Sequence, residues 1–124
     1  MRRSDVAVLY VPAEHGPVGA ADAFTQLEEA LGGPRGRRFF GWLQSADYRA
    51  RVVRRDGDDA RALGLGEGVL PGGAYARAHH AGPPSALRET FDALARAHAP
   101  DPDRPSLEDY RRADELWALL PIRE

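Results

Sequence analysis

His80-Ala81-Gly82-Pro83, just ahead of an amphipathic run over residues 85–98, repeats a pattern met earlier as Glu14-His15-Gly16-Pro17 ahead of a run over residues 19–31. In the earlier run Ala20, Ala23, Phe24, Leu27, Ala30 and Leu31 recur at three- and four-residue spacing, with Asp22, Gln26 and Glu29 opposite. In the later run Leu87, Phe91, Leu94, Ala95 and His98 share a face, and Ser85 is placed to cap the start. Both spacings predict a helix with one apolar stripe. Gly32, Gly33 and Pro34 stop the first helix, and Pro100-Asp101-Pro102 ends the second.

Strand-like segments flank both helices. Residues 6–11 are β-branched and aromatic and end at Pro12. Residues 38–44 and 48–55 read as a hairpin joined through Ser45-Ala46-Asp47. Residues 56–68 are rich in Asp and Gly and read as a loop with one helical turn around residues 60–63. Residues 69–80 carry Pro71-Gly72-Gly73 and then a strand entered through that turn or bulge, and residues 104–112 and 116–122 supply two more.

Each helix therefore follows one strand and precedes two, which makes two copies of a βαββ unit, about residues 5–56 and 68–123. Neither unit can bury both its sheet face and its helix alone, so the two are expected to pack about a pseudo-twofold axis. The fold class expected is α+β: an antiparallel sheet with both helices on one face and a ligand cleft on the other. Clefts between repeats are frequent ligand sites.

Composition narrows the function. The 124 residues are 43% hydrophobic and 29% charged, as in a globular protein of one domain. Cysteine is absent, so thiolate zinc sites, disulfides and a cysteine nucleophile are excluded. Seventeen basic residues, all Arg, face nineteen acidic ones, a formal net charge of -2 with both signs scattered. Nucleic acid as a direct partner is not expected, since its binding needs a basic face. No apolar run reaches the roughly 20 residues of a membrane span, so no membrane association is expected, and the reading is of a cytoplasmic protein.

Four pieces in order carry a resemblance: Pro71-Gly72-Gly73-Ala74-Tyr75-Ala76, His80-Ala81-Gly82-Pro83, Leu107-Glu108-Asp109-Tyr110 and Leu119-Leu120-Pro121-Ile122. In spacing they resemble the GyrI-like small-molecule-binding domains, which also form the effector-binding half of some AraC-type transcription regulators. The resemblance spans nearly the whole chain and is to a stand-alone ligand domain. It implies a duplicated βαββ fold with an open aromatic cleft along the dyad. It further implies a bulky, often cationic, aromatic ligand, or in some members inhibition of DNA gyrase or hydrolysis of cyclopropane-containing DNA alkylators. One departure is the small pair Ala76 and Ala78, where bulkier apolar residues are usual.

The resemblance places Glu108 at the cleft floor. Glu108 and Tyr110 are two apart on a strand, so they share a face. A carboxylate in a poorly hydrated aromatic cleft should have a raised pKa. Ionised, it selects a cation; exchanging protons near neutral pH, it serves as general acid or base beside Tyr110. The plain alternative is an exposed strand glutamate paired with Arg111 or Arg112. Aromatic rings attract planar and cationic ligands, and eight of the ten lie on strands. Trp42, Tyr48, Tyr75, Glu108, Tyr110 and Trp117 are the lining expected, although alternation alone leaves open which side of each strand faces the cleft.

His79 and His80 point to opposite faces of a strand, and no His-x-x-x-His or Glu-x-x-His spacing occurs, so no metal or cofactor is expected. No serine sits in a Gly-x-Ser-x-Gly elbow. Three function classes stay open: a binder that sequesters an aromatic, cationic or electrophilic molecule, a hydrolase using the same cleft, and a gyrase modulator.

Overall fold

The computed structural model describes residues 2–33, 36–83, 86–112 and 115–123. Eight strands, β1 (Arg2–Arg3), β2 (Val6–Pro12), β3 (Phe39–Gln44), β4 (Asp47–Val53), β5 (Gly66–Leu70), β6 (Gly73–His80), β7 (Ser106–Arg112) and β8 (Glu115–Pro121), form one antiparallel sheet in the order β1-β6-β8-β7-β3-β4-β2-β5. The helices are α1 (Ala20–Ala30), the single turn α2 (Ala60–Leu63) and α3 (Leu87–Ala97). Ser85, expected to cap the second long helix, lies outside the described residues.

The class is α+β, and the two βαββ units are β2-α1-β3-β4 and β6-α3-β7-β8. They meet at the centre of the sheet, where Phe39 lies opposite Tyr110, Gly41 opposite Glu108 and Leu43 opposite Ser106. The shift in numbering that carries Phe24 to Phe91 also carries Leu27 to Leu94 and Gly41 to Glu108. Gly41 and Glu108 thus face each other across the pseudo-dyad.

One loop expectation needs correction. Residues 66–68, expected in the loop, join Val69 and Leu70 in β5, and the chain pairs differently on either side of the turn at Pro71-Gly72. Val69 and Leu70 belong to β5 and pair with β2, whereas β6 pairs with β8 and β1. Pro71 has no N–H for a ladder, and a side chain at Gly72 would meet the carbonyl oxygen of Arg3 at 2.6 Å. Asp5 accepts the Gly72 N–H there. Arg2 opposite Ala74, Val6 opposite Leu70 and Tyr10 opposite Gly66 keep a single register across the break. Since β1 and β5 stand at the two ends of the strand order, this shared ribbon curls the sheet until its ends meet.

Curling gives the sheet an inner face packed with its own side chains: Val8, Phe40, Leu70, Tyr75, Leu107 and Leu119. The other face carries the helices. Leu27 of α1 packs on Leu9, Ala50 and Val52, and Leu94 of α3 packs on Ala76, Ala118 and Leu120. Burial of each leucine contributes about 2 kcal/mol. Ala76 and Ala78 are small because α3 lies close above them.

A single cross-strand row, Ala78, Ala118, Glu108, Gly41, Ala50 and Val11, runs over that outer face. Directly opposed residues project to the same side. With α3 over Ala118 and α1 over Ala50, Glu108 and Gly41 fall between the helices. The cleft therefore opens on the helix-bearing face, which corrects the expectation of a cleft on the reverse side; the reverse side is the inner face of the curl, which carries the buried cluster just named.

Candidate functional site

The cleft between α1 and α3 holds about 780 Å³ and is lined among others by Leu43, Tyr48, Leu87, Phe91, Glu108 and Tyr110. Its floor is the pair of central strands and its walls are the two helices. Glu108 is aimed into it by strand alternation from a β7 whose other side buries Leu107 and Asp109.

Three sequence-expected residues come together there. The Tyr48 hydroxyl donates to Glu108 Oε1, and the Tyr110 hydroxyl donates to the same oxygen at 2.8 Å. Oε2 accepts no hydrogen bond from the described residues. None of the described basic side chains forms an ion pair with Glu108, so the pairing with Arg111 weighed from the sequence is not made; Arg111 turns to the inner face and binds Asp109. The side chain of Arg112, the other partner weighed, lies outside the described residues.

Phe24 of α1 holds the two phenol rings edge-on, with centroids 6.3 Å from Tyr48 and 5.4 Å from Tyr110. A side chain on Gly41 would collide with both the Glu108 carboxylate and the Tyr48 hydroxyl, so the bare backbone at this position lets the two approach.

Electrostatics follow from this burial. Loss of solvent raises the Glu108 carboxyl above its ordinary value, and the hydrogen bonds from Tyr48 and Tyr110 pull it partly back. Burial and then the neighbouring Glu108 charge push both phenols well above the usual tyrosine range, so they remain donors at every physiological pH. The result is a carboxylate hydrogen-bonded by neutral donors alone, in a trough whose lining is mainly apolar and aromatic but also includes Arg88 and Asp92.

The other three expected lining residues lie on the opposite side of the sheet, which corrects their placement. Tyr75 has no exposed surface, packs in the inner core and donates its hydroxyl to the Pro71 carbonyl oxygen at 2.8 Å. Trp42 packs against the same core, and Trp117 stands edge-on to His79. Parity explains the misplacement: these residues alternate with Gly41, Ala76 and Ala118, which face the helices. The protein's own guanidinium groups cover their rings, Arg49 over Trp42 at 4.7 Å, Arg104 over Tyr75 at 5.1 Å and Arg77 over Trp117 at 5.1 Å. Among the described residues no cation sits over Tyr48, Tyr110, Phe24 or Phe91.

Sequence reasoning passed over Gly41, Leu43, Leu87 and the two helix phenylalanines as site residues. The signal was present in β4, where Tyr48, Ala50 and Val52 alternate with Arg49 and Arg51: the apolar set must pack under a helix, and it carries Tyr48 with it. His80 has a positioning role. Its Nε2–H donates to the Pro83 carbonyl at 2.9 Å and its Nδ1 accepts from the Thr90 hydroxyl at 2.8 Å, which ties the end of β6 to α3.

The chain matches no protein-family model. No curated protein matches it either. Its fold is similar to that of SAV2435, solved bound to tetraphenylphosphonium, with a TM-score of 0.65 and 10% identity over 99% of this chain and 92% of that one. It is also similar to a hydrolase from Listeria innocua, with a TM-score of 0.64 and 13% identity over 99% of this chain and 89% of that one. At these identities the likeness is one of fold.

Proposed function

We propose that the cleft captures a lipophilic aromatic cation and so sequesters it, as a GyrI-like domain would. The observation that carries this reading is the Glu108 carboxylate, buried at the floor of an aromatic trough with two phenol donors and no basic partner among the described residues. A buried charge without a counter-ion is costly, and an incoming cation that also buries aryl surface relieves that cost while gaining roughly 25 cal/mol per Å². A tetraarylphosphonium suits such a site because it brings charge without needing a hydrogen-bond acceptor. The TM-score of 0.65 to a protein solved with tetraphenylphosphonium supports the same class of ligand.

Calorimetric titration with tetraphenylphosphonium tests this, with triphenylphosphine oxide as the uncharged control. The cation should bind with at least about tenfold preference, and Glu108→Gln should abolish most of that preference. Equal binding of the two by the unaltered protein would refute charge selection.

A second reading uses the same groups. A carboxyl with a raised pKa beside two phenols fits a general acid or base, and the likeness to a hydrolase fold keeps the hydrolysis of a strained, cyclopropane-containing electrophile in view. Water would add its oxygen to a ring carbon as the ring C–C bond breaks, with Glu108 taking the water's proton and returning one to the released carbon. Mass spectrometry of excess alkylator incubated with the protein separates the readings: a water adduct beyond one equivalent means turnover.

A further inference from the structure

We infer that Arg49 and Arg51 form an oxyanion site on the reverse face of the sheet, which takes a phosphate or carboxylate group between Tyr10 and Trp42. The inference does not rest on the cleft, because Tyr48 and Arg49 are neighbours on β4 and point to opposite faces.

Arg49 and Arg51 are two apart on one strand and lie side by side. Their guanidinium carbons stand 4.6 and 5.3 Å from the Tyr10 ring centroid and 4.7 and 5.1 Å from that of Trp42. Such stacking engages the faces of the guanidinium groups and leaves their N–H edges for acceptors. Four other arginines have carboxylate partners: Arg37 binds Asp58, Arg38 and Arg111 bind Asp109, and Arg104 binds Asp101. Arg49 and Arg51 form no ion pair with any described residue. Asp47, which shares their face by alternation, is exposed and does not reach Arg49 as an ion pair.

Arg51 is the sharper case. Only 3% of it is exposed, Nη1 donates to the Val69 carbonyl at 2.7 Å, and its buried Nε finds no acceptor. Burial and then the adjacent Arg49 charge lower its pKa to about 10. Two like charges held together this way are costly unless an anion answers them. β5 lies close beside them: a side chain at Gly66 would run into the Tyr10 ring, and one at Gly68 would come into contact with the Arg51 guanidinium. Arg49, Tyr10 and Trp42 are half-buried, so the site has an open side, and a planar fork on an oxyanion is the geometry that two guanidinium edges favour.

Trp42 reports on the site once the only other tryptophan is removed by Trp117→Phe. In that background inorganic phosphate should change Trp42 fluorescence saturably, while sodium chloride at equal ionic strength should not. Arg49→Gln should weaken the phosphate response at least about tenfold with the melting profile retained. If that variant fails to fold, Arg49→Lys decides, since it keeps the charge without the fork and should bind phosphate several-fold more weakly. No saturable response, an equal response to chloride, or undiminished affinity in the folded Arg49 variant would overturn the site. Phenyl phosphate binding more tightly than inorganic phosphate would support an oxyanion carried on a larger aromatic molecule, and equal binding would support the free ion.

Discussion

Gly41 lies directly opposite Glu108 across the pseudo-dyad, and the missing side chain of the one makes the space that the carboxylate of the other occupies. The duplicated fold supplies two equivalent positions over the axis, and the sequence breaks the symmetry at that pair. A single charge at the centre of the cleft results, where two would repel.

Gly41→Ala tests that arrangement by adding one carbon. Gly41 does not have a positive φ, so the effect is steric, and overpacking should cost about 2 kcal/mol in chemical denaturation. Tetraphenylphosphonium affinity should fall about tenfold as Glu108 and Tyr48 part. Unchanged stability and binding would mean the carboxylate has slack that the geometry denies.

Glu108 should leave a signature in stability against pH. Its folded pKa is raised above the unfolded value, so the stability it contributes is complete below the ordinary carboxyl range. That contribution is lost as pH rises through the raised folded value. Denaturation midpoints of the unaltered protein should therefore decline relative to Glu108→Gln as pH rises above the ordinary carboxyl range. Parallel curves for the two proteins would contradict a buried, weakly compensated carboxyl.

Tyr48→Phe and Tyr110→Phe each remove one donor that favours the ionised form of Glu108. The pH midpoint for cation binding should move upward by about one unit in each variant. A downward shift would show that the phenols act on the neutral acid instead.

Asp109, behind the cleft floor, is fully buried and binds Arg38 through both carboxylate oxygens, and Arg111 through one. Both arginines are about two-fifths exposed, so solvent screens the pair, and Asp109→Asn should cost about 2 kcal/mol by urea denaturation. Cation binding in the cleft should change less than twofold, because Asp109 and Glu108 project to opposite sides.

The elements were legible because their periodicities differ: three- and four-residue recurrence at Phe24, Leu27, Phe91 and Leu94 stands apart from alternation at Tyr48, Ala50 and Val52. The break at Pro71-Gly72 was visible as turn chemistry, but not its consequence, since that Val69 pairs with Ala7 depends on contacts far apart in the chain. Glu108, Tyr110 and Tyr48 could be proposed together because two of them share strand parity and the third lies by the hairpin. Trp42, Tyr75 and Trp117 were misplaced because alternation fixes relative faces only. The arginines that cap them, Arg49, Arg104 and Arg77, mostly come from other strands and loops, so no local pattern announces that those rings are already covered.

The position of bound tetraphenylphosphonium tests the central claim most directly. A crystal structure of the complex should place the phosphorus within about 6 Å of the Glu108 carboxylate, with phenyl groups against Phe91 on the α3 wall and against the strand residues Tyr48 and Tyr110 beside Glu108. A cation found instead on the reverse face beside Trp42 or Trp117, with the trough over Glu108 unfilled, would contradict the account.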